Sequence, residues 1–224
     1  MATGEVVDDA GVAYVLNLFD KGRAGLAESV RNLVAAPEPV LEGARAYLVE
    51  MAPTLAYLDD TRNALASALF YCAINLCVYK ALREEDVDVH AYGVAMLKHL
   101  AGREPPGSDD GDGDDASGFS PGPGTHPGEF KVEMVDGQGK DFAFGYNIRS
   151  CAICHLYAQH DAMALVPYMC ASDDVVSDQQ GQGLRRSGTI ALGATQCDFR
   201  YQPGGQPRRV ADEYGDQIHY RRVD

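Results

Sequence analysis

The residues best suited to chemistry lie between Tyr146 and Tyr201. Cys151-Ala152-Ile153-Cys154-His155 comes first, then Cys170-Ala171-Ser172-Asp173-Asp174, then Arg185-Arg186 and Thr189, and finally Cys197-Asp198-Phe199-Arg200. Four of the six cysteines fall in this stretch. Cys151, Cys154, Cys170 and Cys197 form a candidate zinc set, because four thiolates can bind the ion tetrahedrally. Only one close pair is present, whereas a structural zinc module presents two; His155, His160, Asp173 and Asp198 are the substitutes within reach of the pattern. Cys151-x-x-Cys154-His155 also has the form of a c-type haem attachment site, but no export signal accompanies it. The same pair at a helix start can act as a redox dithiol, which requires a preceding βαβ strand where this chain predicts a hairpin. The plainer role for a free cysteine is to fill core space, and that is the expectation for Cys72 and Cys77.

The last motif is a strand by its alternation. A period of two puts Cys197, Phe199 and Tyr201 on one face and Asp198 and Arg200 on the other. The first face reads as core or pocket wall, and the second as an acid and a base that can pair. Arg185 and Arg186 begin the preceding strand, so only one of them can reach a given pocket; a guanidinium there can hold a carboxylate through two parallel hydrogen bonds. Asp173 and Asp174 form a similar pair, one able to serve as a general base and one facing solvent.

The elements that must position these residues divide by period. Residues 1–102 read as helices: Val12, Val15, Leu16 and Phe19, and Leu26, Val30, Leu33 and Val34, recur at helical spacing. A helix entered at Pro39 and ended by Pro53 carries Val40, Leu41, Ala44, Leu48 and Met51. The next is capped by Asp60 or Thr61 and runs to Leu82; it is apolar nearly all round, so it belongs in the middle of a bundle or against a sheet. A further helix spans about Val87 to Leu100. Residues 103–129 are rich in Gly, Pro and Asp and read as an acidic linker or insertion. Within 130–202, Phe130, Val132 and Met134 alternate, the turn Asp136-Gly137-Gln138-Gly139 follows, and Phe142, Phe144, Tyr146 and Ile148 alternate again, which predicts a hairpin. Ser150 caps a helix from Cys151 to about Leu165; Cys170 and Asp173 fall in a less regular stretch; strands follow over 186–192 and 196–201. Residues 203–224 form a polar tail. The expected fold is α+β: a helical N-terminal half packed on a small antiparallel sheet, with one or two helices from the C-terminal half.

Charge and hydropathy exclude some functions. The net charge of −14, from 33 acidic and 19 basic residues, opposes nucleic-acid binding, which needs cations against phosphate. The most apolar stretch, Ala64 to Val78, falls short of the roughly 20 residues that span a bilayer. With no secretory signal at the N-terminus, the expectation is a cytoplasmic protein acting on a small molecule, without nucleic-acid or membrane partners.

The motif order resembles a known family. Pro167-Tyr168-Met169-Cys170-x-x-Asp173, then Gly183-Leu184-x-Arg186-x-x-Thr189-x-Ala191-x-Gly193-x-x-x-Cys197-Asp198-Phe199-Arg200, is similar to the L-2-amino-thiazoline-4-carboxylic acid hydrolases. The resemblance implies hydrolytic opening of a cyclic amidine to N-carbamoyl-cysteine, by a hydrolase or a related small-molecule-transforming enzyme of specialised metabolism. That chemistry needs a carboxylate anchor, for which Arg186 is the candidate. It needs a base, either Asp173 or Asp198, and a nucleophile if one is used, either Cys170 or Cys197. Thr189 and Tyr146 complete the candidate substrate-binding residues. The segment Thr189-x-Ala191-x-Gly193-x-x-x-Cys197-x-Phe199 also resembles the end of 4-vinyl-reductase-type small-molecule-binding domains, some of which bind zinc there. Here Thr189 and Arg186 replace the expected Cys and acid, leaving Cys197 as the matching ligand. The alternative function is therefore a non-catalytic binding or sensor domain with a cysteine-metal site.

Overall fold

The computed structural model describes residues 9–55, 65–103, 129–138 and 140–205. The expected caps Asp60 and Thr61, nearly all of the acidic linker and most of the polar tail lie outside these residues. Four helices come first: α1 (Asp9–Val30), α2 (Pro37–Met51), α3 (Ala66–Glu84) and α4 (Val89–Ala101). Pro37 opens α2, where its fixed φ suits the first turn and its missing N–H has no helical partner to lose. Asp88 caps α4 by accepting from the backbone N–H groups of His90 (2.7 Å) and Ala91 (3.0 Å). The helix α3 is the buried one: from Cys72 to Tyr79 every residue is in the core, as its all-round apolar character predicts. It packs against α2 on one side and α5 on the other. No described helix is long and apolar enough to cross a membrane.

The second half supplies β1 (Lys131–Asp136), β2 (Phe144–Ser150), α5 (Ala152–Gln159), α6 (Val166–Gln179), β3 (Leu184–Arg185) and β4 (Cys197–Tyr201). The strands form one antiparallel sheet in the order β1-β2-β4-β3. The α+β architecture is thus as expected, and β4 lies inside the sheet between β2 and β3. Its register sets Tyr146 opposite Phe199 and Phe144 opposite Tyr201. These rings stack at centroid distances of 4.7 and 4.8 Å, a cross-strand arrangement that stabilises register as well as area. Ile148, Cys197 and Phe199 join one continuous core with α2, α3 and α4, so the helical region and the sheet region share a single interior.

Four local expectations change. The helix expected over 151–165 stops at Gln159, because Asp161 adopts a left-handed conformation at φ 52°; aspartate tolerates this better than most residues. After a 3-10 turn (Met163–Leu165), α6 begins, with Pro167 in its first turn. Ser150 ends β2, and Cys151 occupies the cap position of α5 without a side-chain cap bond. Cys170 and Asp173 lie on α6, a regular helix. No strand forms over 186–192: the strand lies just upstream at Leu184–Arg185, and the chain then leaves the sheet and makes a 3-10 turn at Ile190–Leu192, closed by Gly193 at φ 90°.

Candidate active site

The site is built where β3 ends. Alternation sends Arg185 outward to the exposed Asp141, with Nη1 3.0 Å from Oδ2. Arg186 turns inward and its side chain is 0% exposed. On the facing helix, residues 170, 173 and 174 have i, i+3, i+4 spacing and so share one face of α6. That face receives the guanidinium. Arg186 Nη1 donates to Asp173 Oδ2 at 3.0 Å; Nη2 donates to Asp174 Oδ2 at 2.7 Å and to the Cys170 carbonyl at 2.9 Å. The cation also lies 5.0 Å from the ring centroid of Phe199, within cation–π range.

The two carboxylates differ in access. The Asp174 side chain is 4% exposed and the Asp173 side chain 43%. Neither is simply solvated, which corrects the expectation for this pair. The sequence offers Asp174 only as one of a pair, with one member expected to face solvent; the helical spacing that puts both against Arg186 is hidden while the stretch reads as irregular. Arg186, the expected carboxylate anchor, is itself engaged by the protein. Both terminal nitrogens hold groups of the protein itself, so the guanidinium fixes Asp173 in place.

Around this cluster lie thiols and phenols. Burial pushes the Cys170 thiol well above its ordinary value, against the opposing pull of Arg186. Burial pushes Cys197 up to about 11, partly offset by the Ile190 N–H that donates to its sulfur at 3.2 Å. At neutral pH a thiol titrating there is ionised at a level of only about 10⁻⁴, and thiolate is the nucleophilic form. Cys151 is raised by its hydrogen bond with Cys154 and then by burial. Cys72 of α3 is raised by burial, with the Asp173 charge adding to it. Cys72 and Cys77 fill core space as expected. Burial likewise raises Tyr146 and Tyr201, with Asp173 among the nearby charges acting on both. Their hydroxyls stand 3.3 Å apart and remain proton donors. Tyr201 was not singled out from sequence, although it shares the alternating face of Cys197 and Phe199.

Asp198, Arg200 and Thr189 are placed differently from the groups that meet Arg186. Asp198 points to the other face of β4 and accepts from the backbone N–H groups of Ser187 (2.9 Å) and Gly188 (3.0 Å) and from the Ser187 hydroxyl (2.6 Å). It therefore fastens the loop after Arg186. The expected pairing of Asp198 with Arg200 does not form: Arg200 donates to Asn147 Oδ1 at 2.8 Å and to the carbonyls of Tyr146 and Phe199. Thr189 is fully buried, and its hydroxyl oxygen has no hydrogen-bond partner among the described residues. Such a group costs about 1–3 kcal/mol.

The zinc expectation meets a geometric obstacle. Among the described residues no three His, Cys, Asp or Glu side chains are grouped to hold a metal ion. Cys151 and Cys154 sit at the start of α5, Cys170 on α6 and Cys197 on β4 with its sulfur turned to Ile190, so the four do not close into one tetrahedron.

Residues 63–201 match the model of the L-2-amino-thiazoline-4-carboxylic acid hydrolase family. The chain belongs to that family. The match covers more than half of its length and contains the whole Cys170–Arg200 cluster. No curated protein and no solved structure matches the chain. Membership places it in a hydrolase family, and the buried ion cluster lies in the part that carries the membership.

Proposed function

We propose that the chain hydrolyses a small cyclic amidine of the thiazoline-carboxylate type, with Asp173 as the general base and Arg186 as the residue that positions it. The observation that carries this reading is the contrast within the cluster. Asp173 is tied to a buried cation yet 43% exposed, while Asp174 on the same cation is 4% exposed. A base must be both fixed and reachable by water. The neighbouring thiols favour the water route over a cysteine nucleophile, because burial keeps Cys170 and Cys197 protonated.

In this mechanism the water oxygen bonds to the amidine carbon while Asp173 takes one water proton and delivers it to the ring nitrogen. The carbon–sulfur bond then breaks. The added oxygen becomes the carbonyl of the carbamoyl product, and its remaining proton ends on sulfur as a thiol. The hydroxyls of Tyr146 and Tyr201, kept protonated by burial, and the unpartnered hydroxyl of Thr189 are the polar groups for binding substrate.

The test is ring opening of 2-amino-thiazoline-4-carboxylate by purified protein. Asp173→Asn should lower kcat by about 10²–10⁴-fold with unchanged circular dichroism. Cys170→Ser and Cys197→Ser should stay within tenfold of the parent. Full activity in Asp173→Asn, or its loss in either serine variant with the fold retained, would overturn the assignment.

A further inference from the structure

A hollow lies in the helical half. It measures about 460 Å³, opens to the surface and is lined mainly by α1, α3 and α4. None of the residues holding Arg186 lines it. It exists because side chains are missing where three helices face one another. On α1 the facing positions include Gly22, Gly25 and Ser29, and on α3 they include Ala66 and Ser67. A Cβ added at Gly22 would meet nothing within 4 Å, and one at Gly25 would touch His99 Nε2 at 3.3 Å. Small residues at these positions leave the space open and let the His99 ring lie against α1.

The walls and the polar end are distinct. Leu18, Phe70, Ile74 and Met96 supply apolar surface, and the cavity has the size of small-molecule sites. Arg103, just beyond α4, brings the positive charge; His99, one turn before it, is held neutral by burial and by the Arg103 charge and offers a ring nitrogen for hydrogen bonding. The Gln179 side chain secures this end by donating to the carbonyls of Leu100 and Arg103, each at 3.0 Å. Among the described residues the lining contains no Asp or Glu, and the carboxylate that acts on His99, Glu28, lies outside it. An apolar chamber whose charged lining residue, among those described, is Arg103 suits one ligand chemistry: an apolar body carrying an anionic head.

We propose that this cavity binds a small amphipathic carboxylate, larger and more apolar than a thiazoline carboxylate, with its head at Arg103 and His99 and its body between Phe70, Ile74 and Met96. The site is separate from the Asp173–Arg186 cluster. Tyr71 joins the two, since it lines the cavity and its hydroxyl feels the charges of both Arg103 and Asp173.

Decanoate is the probe, titrated into the full-length protein by calorimetry. It should bind with one site per chain. Gly22→Phe, which puts a ring at the cavity mouth, should weaken binding at least tenfold, while Gly22→Ala should bind as the parent does. Arg103→Gln should weaken decanoate about tenfold, the scale of one charge-assisted hydrogen bond, and leave decanol binding unchanged. Asp173→Asn should bind decanoate normally, which keeps this site's test independent of the hydrolase reading. Absence of decanoate binding, or binding indifferent to both Gly22→Phe and Arg103→Gln, overturns the proposal.

Discussion

The two halves of this molecule treat burial in opposite ways. The helical half encloses apolar surface and leaves a hollow where Gly22, Gly25 and Ser29 decline to fill it. The C-terminal half packs tightly around a guanidinium and surrounds it with two carboxylates, a carbonyl and an aromatic face. The first arrangement gains stability by area, and its defects cost only the contacts that are missing. The second must balance large desolvation terms, so each partner matters far more than its area suggests. A buried ion cluster is therefore better evidence for positioning than for stability. In this chain the group it positions is Asp173.

Removing the charge should show the largest difference. Arg186→Met keeps most of the volume but strips the cation from Asp173 and the buried Asp174. Urea unfolding should show a loss of about 3–5 kcal/mol, together with loss of ring opening. Leu76→Ala, at a fully buried apolar position in α3, should cost about 2–5 kcal/mol yet leave the kcat of the folded fraction unchanged. Equal effects of both variants on kcat would erase the distinction between the two halves.

A thiol titration sharpens the comparison at smaller scale. Cys197 ordinarily titrates near 9 and is pushed up to about 11 in the fold. Below about pH 9 the thiol is neutral in both folded and unfolded chains and contributes no pH dependence. Between 9 and 11 the unfolded chain ionises first, so stability falls as pH rises. The contribution is on the order of 2 kcal/mol by pH 11. Cys197→Ala should flatten this part of the stability–pH curve, and an unchanged slope would show that the thiol is not held neutral. The smallest effect belongs to the surface. Arg45 makes a two-pronged ion pair with Asp20, at 2.8 and 3.0 Å, on one carboxylate and open to water. Arg45→Gln should leave the urea midpoint unchanged within error, because solvent and salt screen such pairs.

Legibility differed between the same two regions. The long helices were plain, because Val40, Leu41, Ala44, Leu48 and Met51 repeat a period that local geometry enforces. The hairpin and β4 were plain for the same reason with a period of two, and β4's inner face was read correctly as Cys197, Phe199 and Tyr201. The site residues Asp173 and Arg186 were visible as types. Their relation was not, because it depends on α6 facing the end of β3 across 12 to 13 residues of sequence. The burial of Asp174 went unread for a local reason: α6 has a mixed polar surface, with Ser172, Asp174 and Ser177 all buried. Its period is masked wherever polar groups face inward to meet a partner. The cavity left no sequence signal beyond small residues on α1 and α3, which are ordinary in helices until three of them meet.

The amino-acid sequence alone determined the α+β class, the family and the types of residue at the site, because periodicity and motif spacing are local properties of the chain. Tertiary structure decided which carboxylates meet Arg186, that Asp198 serves a loop while Asp173 stands open to water, and that the four cysteines do not converge on one ion. It also decided where the interior stays hollow. Those outcomes depend on distances between elements remote in sequence, and the balance of desolvation against pairing is set only once the elements are packed.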